Sequence, residues 1–384
     1  MASPRRVRIL IVDDSAAMRS LVRAAVSLDR TFEISGVAEN GESALQMVES
    51  LKPDIILLDV EMPVMDGLVT LRALRERGHR MPVIMCSSLT QRGARVTVDA
   101  LAAGATDYVT KPSGQSGVAA ALQALAGELN PKIQALTASV AGRASPASGT
   151  LSGSQAPRAW SRAALPACLS PAHPAAPPAI VVIGVSTGGP LALEEMLPAF
   201  PANFPLPVLV VQHMPDLFTR HLAERLSTRC ALPVCEAEHG ARILPGVVHI
   251  ARGNWHLEIA ASRIPAIPPT LRLVQSAPEN HCRPSVDVLF RSAAAAYGGG
   301  VLAAILTGMG HDGLDGCRAI RNCGSWVLAQ DQATSVVWGM PGAVVNAGLA
   351  NRVLPLSAIV PEMLRLTRNA HSEVRELRET AVHP

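Results

Sequence analysis

The chain has 384 residues, a formal net charge of +3 and seven cysteines. This length suggests two domains, each large enough to bury its own core. The Lys and Arg residues form no basic stripe, which argues against a nucleic-acid partner. No segment offers the roughly 20 apolar residues that membrane insertion requires. No two cysteines form a C-x-x-C pair, so we expect a reduced, cytoplasmic protein without a zinc site.

Short apolar runs alternate with helix-like segments in the first part of the chain. The strand-like runs are VRILIV, EISGVA, DIILLDV, PVIMCSS and DYVTK, and the helix-like segments are AAMRSLVRAAVS, ESALQMVESL, GLVTLRALRER, VTVDALAAG and VAAALQALAGEL. This alternation predicts a parallel sheet with helices on both faces. We assign residues 1–129 to this first α/β domain.

Acidic residues stand at the ends of two of these strands. Asp13 and Asp14 follow the first strand, and Asp59 ends the third. In an open parallel sheet, sites form beyond the carboxyl ends of the strands, where strand order reverses. Converging carboxylates repel one another unless a cation joins them, and hard oxygen ligands favour Mg²⁺. Ser87 follows the fourth strand and Lys111 the fifth, which strengthens the prediction of a site at this edge.

The stretches VDDS, LLDVEMPVMDG and DYVTKP, with the Ser87-Ser88 pair, resemble the receiver domains of response regulators. The resemblance implies a flavodoxin-like (βα)5 fold in which Asp59 accepts a phosphoryl group from a histidine kinase. It also implies that Asp13, Asp14 and Asp59 hold Mg²⁺, while Ser87 and Lys111 contact the phosphoryl oxygens. Tyr108 occupies the position of the family's switching aromatic residue.

The composition changes after the first domain. Residues 130–178 are rich in Ala, Pro, Ser and Gly and are predicted to be a linker. Strand-like runs then return as AIVVIG, PVLVVQ, GVVHIA, LRLVQ, VLAAILTG and SWVLAQ. Helical patterns again separate these runs, so we predict a second α/β domain over residues 179–367, followed by a tail of residues 368–384.

The turn IGVSTGGP leads from a strand into a helix and carries Ser186. It lacks the Lys of a phosphate-binding P-loop and the glycine spacing of a dinucleotide fingerprint. Its first part matches G-x-S-x-G, the turn that exposes a nucleophilic serine in many hydrolases. The alternative is that Ser186 only caps the helix that follows, and the motif alone leaves the two interpretations about equal.

Two further segments carry the residue types that a serine nucleophile needs. His213 follows the strand PVLVVQ, and Asp312 lies in the glycine-rich loop of VLAAILTGMGHDG. A neutral imidazole takes the serine proton, and a buried carboxylate orients the imidazole. Asp315 competes with Asp312 for the orienting role. His249 is predicted to lie on a strand face, and polar-loop positions are predicted for His256, His281 and His311.

The motifs GVSTGGP, QHMP, RPSVDVLF, LTGMGHDG and QDQATSVVWGMPG resemble, in this order, the catalytic domain of protein-glutamate methylesterases, the CheB family. The resemblance implies a doubly wound, mostly parallel α/β domain that hydrolyses glutamate methyl esters on methyl-accepting chemoreceptors and also deamidates glutamine, without a cofactor for the esterase reaction. It assigns Ser186 as nucleophile, His213 as base and Asp312 as orienting acid. The backbone amides of Met309 and Thr187 would bind the oxyanion.

A second function remains open at this stage. The chain could be a phosphorylation-controlled docking protein whose esterase domain is inactive. The presence of Ser186, His213 and Asp312 together favours the enzyme. A DNA-binding regulator is less favoured still, because no helix-turn-helix pattern or basic recognition helix follows the linker.

Overall fold

The computed structural model describes residues 5–112, 117–138, 176–261 and 268–368. Packing divides the chain into two compact units. The first contains the described part of Met1–Ser145 together with Ser186–Glu195 and Met214–Arg229, and the second contains the remaining described residues. No helix among the described residues has the length and apolar character to cross a membrane.

A five-stranded parallel sheet forms the centre of the first unit. Its strands are β1 (Val7–Val12), β2 (Phe32–Ala38), β3 (Ile55–Asp59), β4 (Val83–Ser87) and β5 (Asp107–Thr110). The spatial order is β2-β1-β3-β4-β5. This is the flavodoxin-like order, with the reversal between β1 and β3. The predicted (βα)5 fold is therefore confirmed.

Five helices accompany this sheet: α1 (Ala16–Ser27), α2 (Gly41–Leu51), α3 (Gly67–Glu76), α4 (Gln91–Ala102) and α5 (Gly117–Leu136). Polar residues cap the N-termini of several of these helices: the side chains of Ser15, Asn40 and Asp66 each accept a backbone N–H of the first turn. A buried core joins β1, β3, β4 and β5 to α1 and α5.

The predicted start of the linker at residue 130 is wrong. Helix α5 continues to Leu136 despite Pro131. The reason is the apolar spacing of Leu125, Leu129 and Ile133, which places all three on one buried face of the helix. Residues 139–175 of the predicted linker and residues 369–384 of the predicted tail lie outside the described residues.

A seven-stranded sheet forms the centre of the second unit. Its strands are β6 (Ile180–Val185), β7 (Val208–Gln212), β8 (Val234–Glu236), β9 (Val248–Ile250), β12 (Val301–Ile305), β13 (Trp326–Gln330) and β14 (Arg352–Leu354). The order is β14-β13-β12-β6-β7-β9-β8, and all paired strands are parallel. This confirms the predicted doubly wound domain, in which the strand order reverses at β6 and β12.

The helices that follow these strands are α6 (Gly189–Met196), α7 (Phe218–Ser227), α8 (Val286–Tyr297), α9 (Leu314–Asn322), α10 (Met340–Asn346) and α11 (356–368). A separate antiparallel hairpin consists of β10 (His256–Ala260) and β11 (Thr270–Val274). Its apolar side chains belong to the same buried core as Leu289 and Phe290 of α8.

Three strands of the second unit escaped the sequence prediction. Strands β8 and β14 have three residues each, too few to display an alternating pattern. Strand β10 carries His256, which the sequence placed in a polar loop. That placement is wrong, since His256 is fully buried. The polar ring can be buried because its two nitrogens have backbone hydrogen-bond partners at Ser285 and Ala277.

Candidate functional site

The three acidic residues of the first sheet meet at the point where its strand order reverses. Asp13 directly follows β1, and Asp59 is the last residue of β3. These strands are neighbours, with Val12 paired to Leu58. Carboxylate oxygens of Asp13, Asp14 and Asp59 all lie within 4.8 Å of one another. The structure thus brings together the three residues predicted to hold Mg²⁺.

Lys111 follows β5 and inserts its ammonium group between two of these carboxylates. Its Nζ lies 2.8 Å from Asp13 Oδ2 and 2.7 Å from Asp59 Oδ1. Burial is the main cause that raises the pKa of Asp59 to about 6; the charge of Asp13 also raises it, and the contact with Lys111 lowers it. A raised carboxyl pKa shows that ionisation of the group is unfavourable, here because it is buried and lies near another carboxylate. A cluster of three carboxylates beside a single ammonium group fits the preference of Mg²⁺ for oxygen ligands.

Ser87 and Tyr108 lie on neighbouring strands of the same sheet. Ser87 is the buried last residue of β4, opposite Thr110 at the edge that holds Asp59. Tyr108 is buried within β5, and its ring stacks on Phe218 with centroids 4.9 Å apart. The aromatic position predicted to switch is therefore tightly packed in this conformation.

The turn around Ser186 is tight because of its glycines. Ser186 directly follows β6, and its carbonyl accepts the Gly189 N–H at 2.8 Å. Gly188 has a φ of 77°, which favours glycine. A Cβ on Gly184 would approach Val286 Cγ1 to 2.4 Å. Since α6 begins at Gly189, Ser186 precedes the helix cap position by two residues.

His213 and Asp312 form a close pair in the second sheet. His213 directly follows β7, whose last residue Gln212 pairs with Val185 at the end of β6. Asp312 lies in the loop that follows β12, the neighbour of β6 on the other side. The two side chains meet with His213 Nε2 2.8 Å from Asp312 Oδ2. Ser186, His213 and Asp312 thus follow three adjacent strands at their carboxyl ends.

Asp312 is buried and receives a set of hydrogen bonds in addition to that of His213. The donors to it are Ser285 Oγ at 2.8 Å, Asn280 Nδ2 at 3.0 Å and the backbone N–H groups of Val286 at 2.7 Å and Asp287 at 3.1 Å. Burial opposes ionisation, but the bond from His213 and these donors hold the pKa of Asp312 well below its usual range. The carboxyl group of Asp312 is therefore ionised beside the imidazole at neutral pH.

The same pair determines the proton affinity of the imidazole. Burial alone would lower the pKa of His213, but the hydrogen bond to Asp312 outweighs it and raises the pKa above the usual 6.5. With Nε2 engaged by the carboxylate, Nδ1 is the ring nitrogen left to accept a proton from a substrate or a nucleophile.

Comparison with known proteins places the chain in a family. The model of the response regulator receiver domain matches residues 9–123, and that of CheB methylesterase matches residues 181–363. The Nocardioides sp. protein named protein-glutamate methylesterase/protein-glutamine glutaminase is 49% identical over 364 residues, covering 94% of this chain and 95% of that protein. The chain belongs to the CheB methylesterase family.

A further relative carries the same name, and a solved structure is similar to part of the chain. The Trichodesmium erythraeum protein-glutamate methylesterase/protein-glutamine glutaminase is 46% identical over 362 residues, covering 94% of this chain and 99% of that protein. The crystal structure of the Thermotoga maritima CheB methylesterase catalytic domain is 43% identical, covers 49% of this chain and 98% of that chain, and has a TM-score of 0.48.

In this CheB-family chain, Met309 lies in the loop between β12 and α9. The preceding residue, Gly308, donates its N–H to the Val337 carbonyl and accepts the N–H groups of Gly339 and Met340 at 3.0 and 2.9 Å. A Cβ on Gly339 would come within 2.7 Å of the Gly308 carbonyl oxygen. The motif QDQATSVVWGMPG thus fixes the backbone beside the predicted oxyanion donor.

Thr187, the other predicted oxyanion donor, is buried, and its hydroxyl donates to Asp107 Oδ2 at 2.9 Å within the first unit. Asp107 is the first residue of β5, next to Tyr108 and four residues before Lys111. The side chain of Thr187 is therefore engaged within the first unit, and the predicted oxyanion role concerns its backbone N–H.

The sequence interpretation missed four residues around the His213–Asp312 pair: Asn280, Cys282, Ser285 and Asp287. Ser285 and Asp287 lie within the motif RPSVDVLF, which gave a signal without indicating a role. Asp287 accepts the Gly316 N–H at 2.6 Å, and burial with the nearby charge of Asp312 raises its pKa to about 6. Asn280 and Cys282 precede the motif in a turn where Asn280 has a φ of 51°.

In the described part of the chain, three other candidates form no hydrogen bond with the His213–Asp312 pair. Asp315 is exposed and pairs with Arg318 on the surface of α9. His311 is exposed beside Asp312, in agreement with the predicted loop. His249 is buried in β9, as the strand-face prediction required, and its Nδ1 lies 3.3 Å from Cys235 Sγ.

Proposed function

We propose that this chain is a phosphorylation-activated protein-glutamate methylesterase of the cytoplasm. It hydrolyses glutamate methyl esters on methyl-accepting chemoreceptors, releases methanol, and deamidates glutamine at the same site. The His213–Asp312 pair, at the strand ends adjacent to that of Ser186, is the observation that carries the proposal. The names of relatives that match 94% of the chain support the substrate class.

Ester cleavage begins with attack of Ser186 Oγ on the ester carbonyl. His213 accepts the serine proton at Nδ1, because Nε2 donates to Asp312. The anion of Asp312 stabilises the imidazolium that forms and holds the ring in the required tautomer. Backbone N–H groups of Met309 and Thr187 stabilise the tetrahedral oxyanion; one such donor contributes about 100- to 1000-fold in rate.

Collapse of the tetrahedral intermediate expels methoxide, which takes the proton from His213 Nδ1 and leaves as methanol. The glutamyl group remains esterified to Ser186. A water molecule then transfers a proton to His213 and attacks the acyl carbonyl, which releases the glutamate carboxylate and restores the serine. A glutamine substrate follows the same route, with ammonia as the first leaving group.

The first sheet regulates this activity. An oxygen of Asp59 attacks the phosphoryl group carried by a histidine kinase, so Asp59 must be ionised to react. Mg²⁺ bound by Asp13, Asp14 and Asp59 would supply charge neutralisation for the transferred phosphoryl group. Lys111, already beside Asp59, and Ser87 on the next strand contact the phosphoryl oxygens. The added charge favours the active conformation.

Methanol release from methylated receptor membranes tests both parts of the proposal. Wild-type protein, Ser186→Ala and Asp59→Asn are compared with and without a small phosphodonor and Mg²⁺. We expect no release by Ser186→Ala, since loss of a triad serine costs on the order of 10⁶ in rate. The phosphodonor should stimulate wild-type protein and leave Asp59→Asn unchanged.

Two results would contradict the proposal. Release that persists in Ser186→Ala would exclude a serine nucleophile at this position. A wild-type protein that releases no methanol under any condition would favour the docking protein, in which the receiver regulates binding and the esterase domain is inactive.

A further inference from the structure

A thiol faces the ring nitrogen of His213 that Asp312 does not use. Cys282 Sγ lies 3.6 Å from His213 Nδ1. Ligand atoms of His213, Cys282 and Asp312 all lie within 4.8 Å of one another. Both Cys282 and His213 are only partly buried, so small ions in solvent can reach them. Nothing in the proposed esterase mechanism requires this thiol.

The turn that carries Cys282 holds it in place. Cys282 donates its N–H to the Glu279 carbonyl at 2.8 Å and accepts the Glu279 N–H at 3.1 Å. Asn280, in the same turn, donates to Asp312 at 3.0 Å. The backbone that positions the thiol is therefore tied to the carboxylate that positions the imidazole.

The spacing of the two atoms suits a zinc ion. Zinc binds imidazole nitrogen at about 2.0–2.1 Å and thiolate sulfur at about 2.3 Å, and a tetrahedral angle between these bonds separates the two atoms by about 3.6 Å. The bond from His213 Nε2 to Asp312 is the carboxylate–histidine arrangement that typically supports a zinc-bound imidazole. A nitrogen and a sulfur ligand select zinc over Mg²⁺.

We propose that His213 Nδ1 and Cys282 Sγ form an inhibitory Zn²⁺ site, with Asp312 as the outer-sphere partner of the imidazole. Binding forms the S–Zn and N–Zn bonds and releases to water the thiol proton and, from the imidazolium form of His213, the Nδ1 proton, without any change of oxidation state. Inhibition rests on the proposed function, because zinc occupies the nitrogen that accepts the proton of Ser186. Binding itself does not depend on that function.

The chain contains a matched control pair. Cys235 Sγ lies 3.3 Å from His249 Nδ1, so a second thiol faces a second imidazole. Within the described residues, however, His249 Nε2 has no hydrogen-bond partner, and no carboxylate completes a three-residue ligand cluster with this pair. The comparison therefore isolates the contribution of the carboxylate-supported imidazole.

Zinc binding is measured first by protection from alkylation. Full-length wild-type protein and Ser186→Ala are incubated with ZnCl₂ and iodoacetamide in excess Mg²⁺, which occupies the acidic cluster of Asp13, Asp14 and Asp59. Peptide mass spectrometry then follows the alkylation of each cysteine. We expect zinc to slow alkylation of Cys282 in both proteins, to leave Cys235 unaffected, and to lose this effect when EDTA is added.

Methanol release provides the second measurement, and each variant is compared with its own zinc-free rate. Half-inhibition of Cys282→Ser should need at least about 10-fold more zinc. Loss of an outer-sphere partner alone can lower metal affinity by this factor, and Cys282 is a direct ligand. Cys235→Ser should match wild type. Unprotected Cys282 at an inhibitory zinc concentration, or unchanged inhibition of Cys282→Ser, overturns the proposal. Protection without any methanol release supports the site and contradicts the esterase instead.

Discussion

Replacement of Asp312 by asparagine tests how the His213–Asp312 pair works. The side chain keeps its shape but loses its charge, and one oxygen becomes an NH₂ group that cannot accept hydrogen bonds. At the Oδ1 position this group would face three donors, which are Asn280 Nδ2, Ser285 Oγ and Asp287 N. At the Oδ2 position the described residues that it faces are His213, through Nε2, and Val286, through its N–H. We therefore expect the NH₂ group at the Oδ2 position.

That orientation has two consequences. The Val286 N–H, 2.7 Å from Oδ2 in the native protein, loses its acceptor, and an unsatisfied buried donor costs about 1–3 kcal/mol of stability. His213 Nε2 must now accept from the amide, which moves the ring proton to Nδ1. A protonated Nδ1 cannot take the proton of Ser186. By analogy with other triads we expect kcat to fall by about 10⁴, equivalent to about 5.5 kcal/mol in the activation barrier.

Methanol release and urea unfolding measure the two consequences separately. Asp315→Asn is the matched control, since Asp315 is close to Asp312 in the sequence but is exposed and pairs with Arg318 on the surface. We expect this control to retain wild-type activity and stability. If Asp312→Asn kept more than about a tenth of the activity while Asp315→Asn lost it, Asp315 would be the orienting acid and our assignment would be wrong.

Two further predictions concern the acidic cluster and the loop of Asp312. Lys111→Met removes the cation that contacts Asp13 and Asp59. Stimulation of methanol release by a phosphodonor should therefore fall about 10-fold or more, because a charged hydrogen bond is worth about 1.5–3 kcal/mol. Undiminished stimulation would exclude a role for Lys111. Gly310 and Gly313 have φ values of 76° and 97°, but only at Gly313 would a Cβ crowd a neighbour, Ile305 Cδ1 at 2.6 Å. Chemical denaturation should therefore show a loss of about 1–2 kcal/mol for Gly310→Ala from backbone strain alone, and an additional 1–3 kcal/mol or so for Gly313→Ala from overpacking; equal losses would contradict this argument.

The sequence was most informative where function and sheet topology coincide. Asp13 and Asp59 each stand at the end of a strand with a strong apolar pattern, and Lys111 follows the shorter strand DYVT. The rule for parallel sheets therefore predicts from the sequence alone that they lie together. The same rule applies to Ser186, His213 and Asp312. Long alternating segments also gave both fold classes, because buried parallel strands and their helices have distinct periods.

Features that depend on irregular backbone were beyond this reasoning. Asn280 and Cys282 approach His213 and Asp312 through a turn, and no periodicity connects residue 282 with residue 213. The absence of a C-x-x-C pair argued against zinc, yet that argument considers only ligands that are close in sequence. His256 was predicted to be a loop residue because its buried partners at Ser285 and Ala277 are supplied by the tertiary fold.

The hydrogen-bond donors around Asp312 fix the position of its carboxylate and also affect the pKa of His213. Each N–H or O–H that Asp312 accepts disperses its negative charge and weakens its attraction for the proton on His213. Ser285→Ala removes the 2.8 Å donor to Oδ1 and leaves the bond between His213 Nε2 and Oδ2 intact. The pKa of His213, already above 6.5 because of Asp312, should therefore rise further.

The pH profile of kcat/KM reports this change, since only neutral His213 can accept the serine proton. In wild-type protein the activity should increase with pH through an apparent pKa above 6.5, and in Ser285→Ala the same limb should move to higher pH. A purely structural role for Ser285 would lower the rate without moving the limb. A limb that moved to lower pH would mean that Ser285 strengthens the attraction of Asp312 for the imidazolium, contrary to the electrostatic argument.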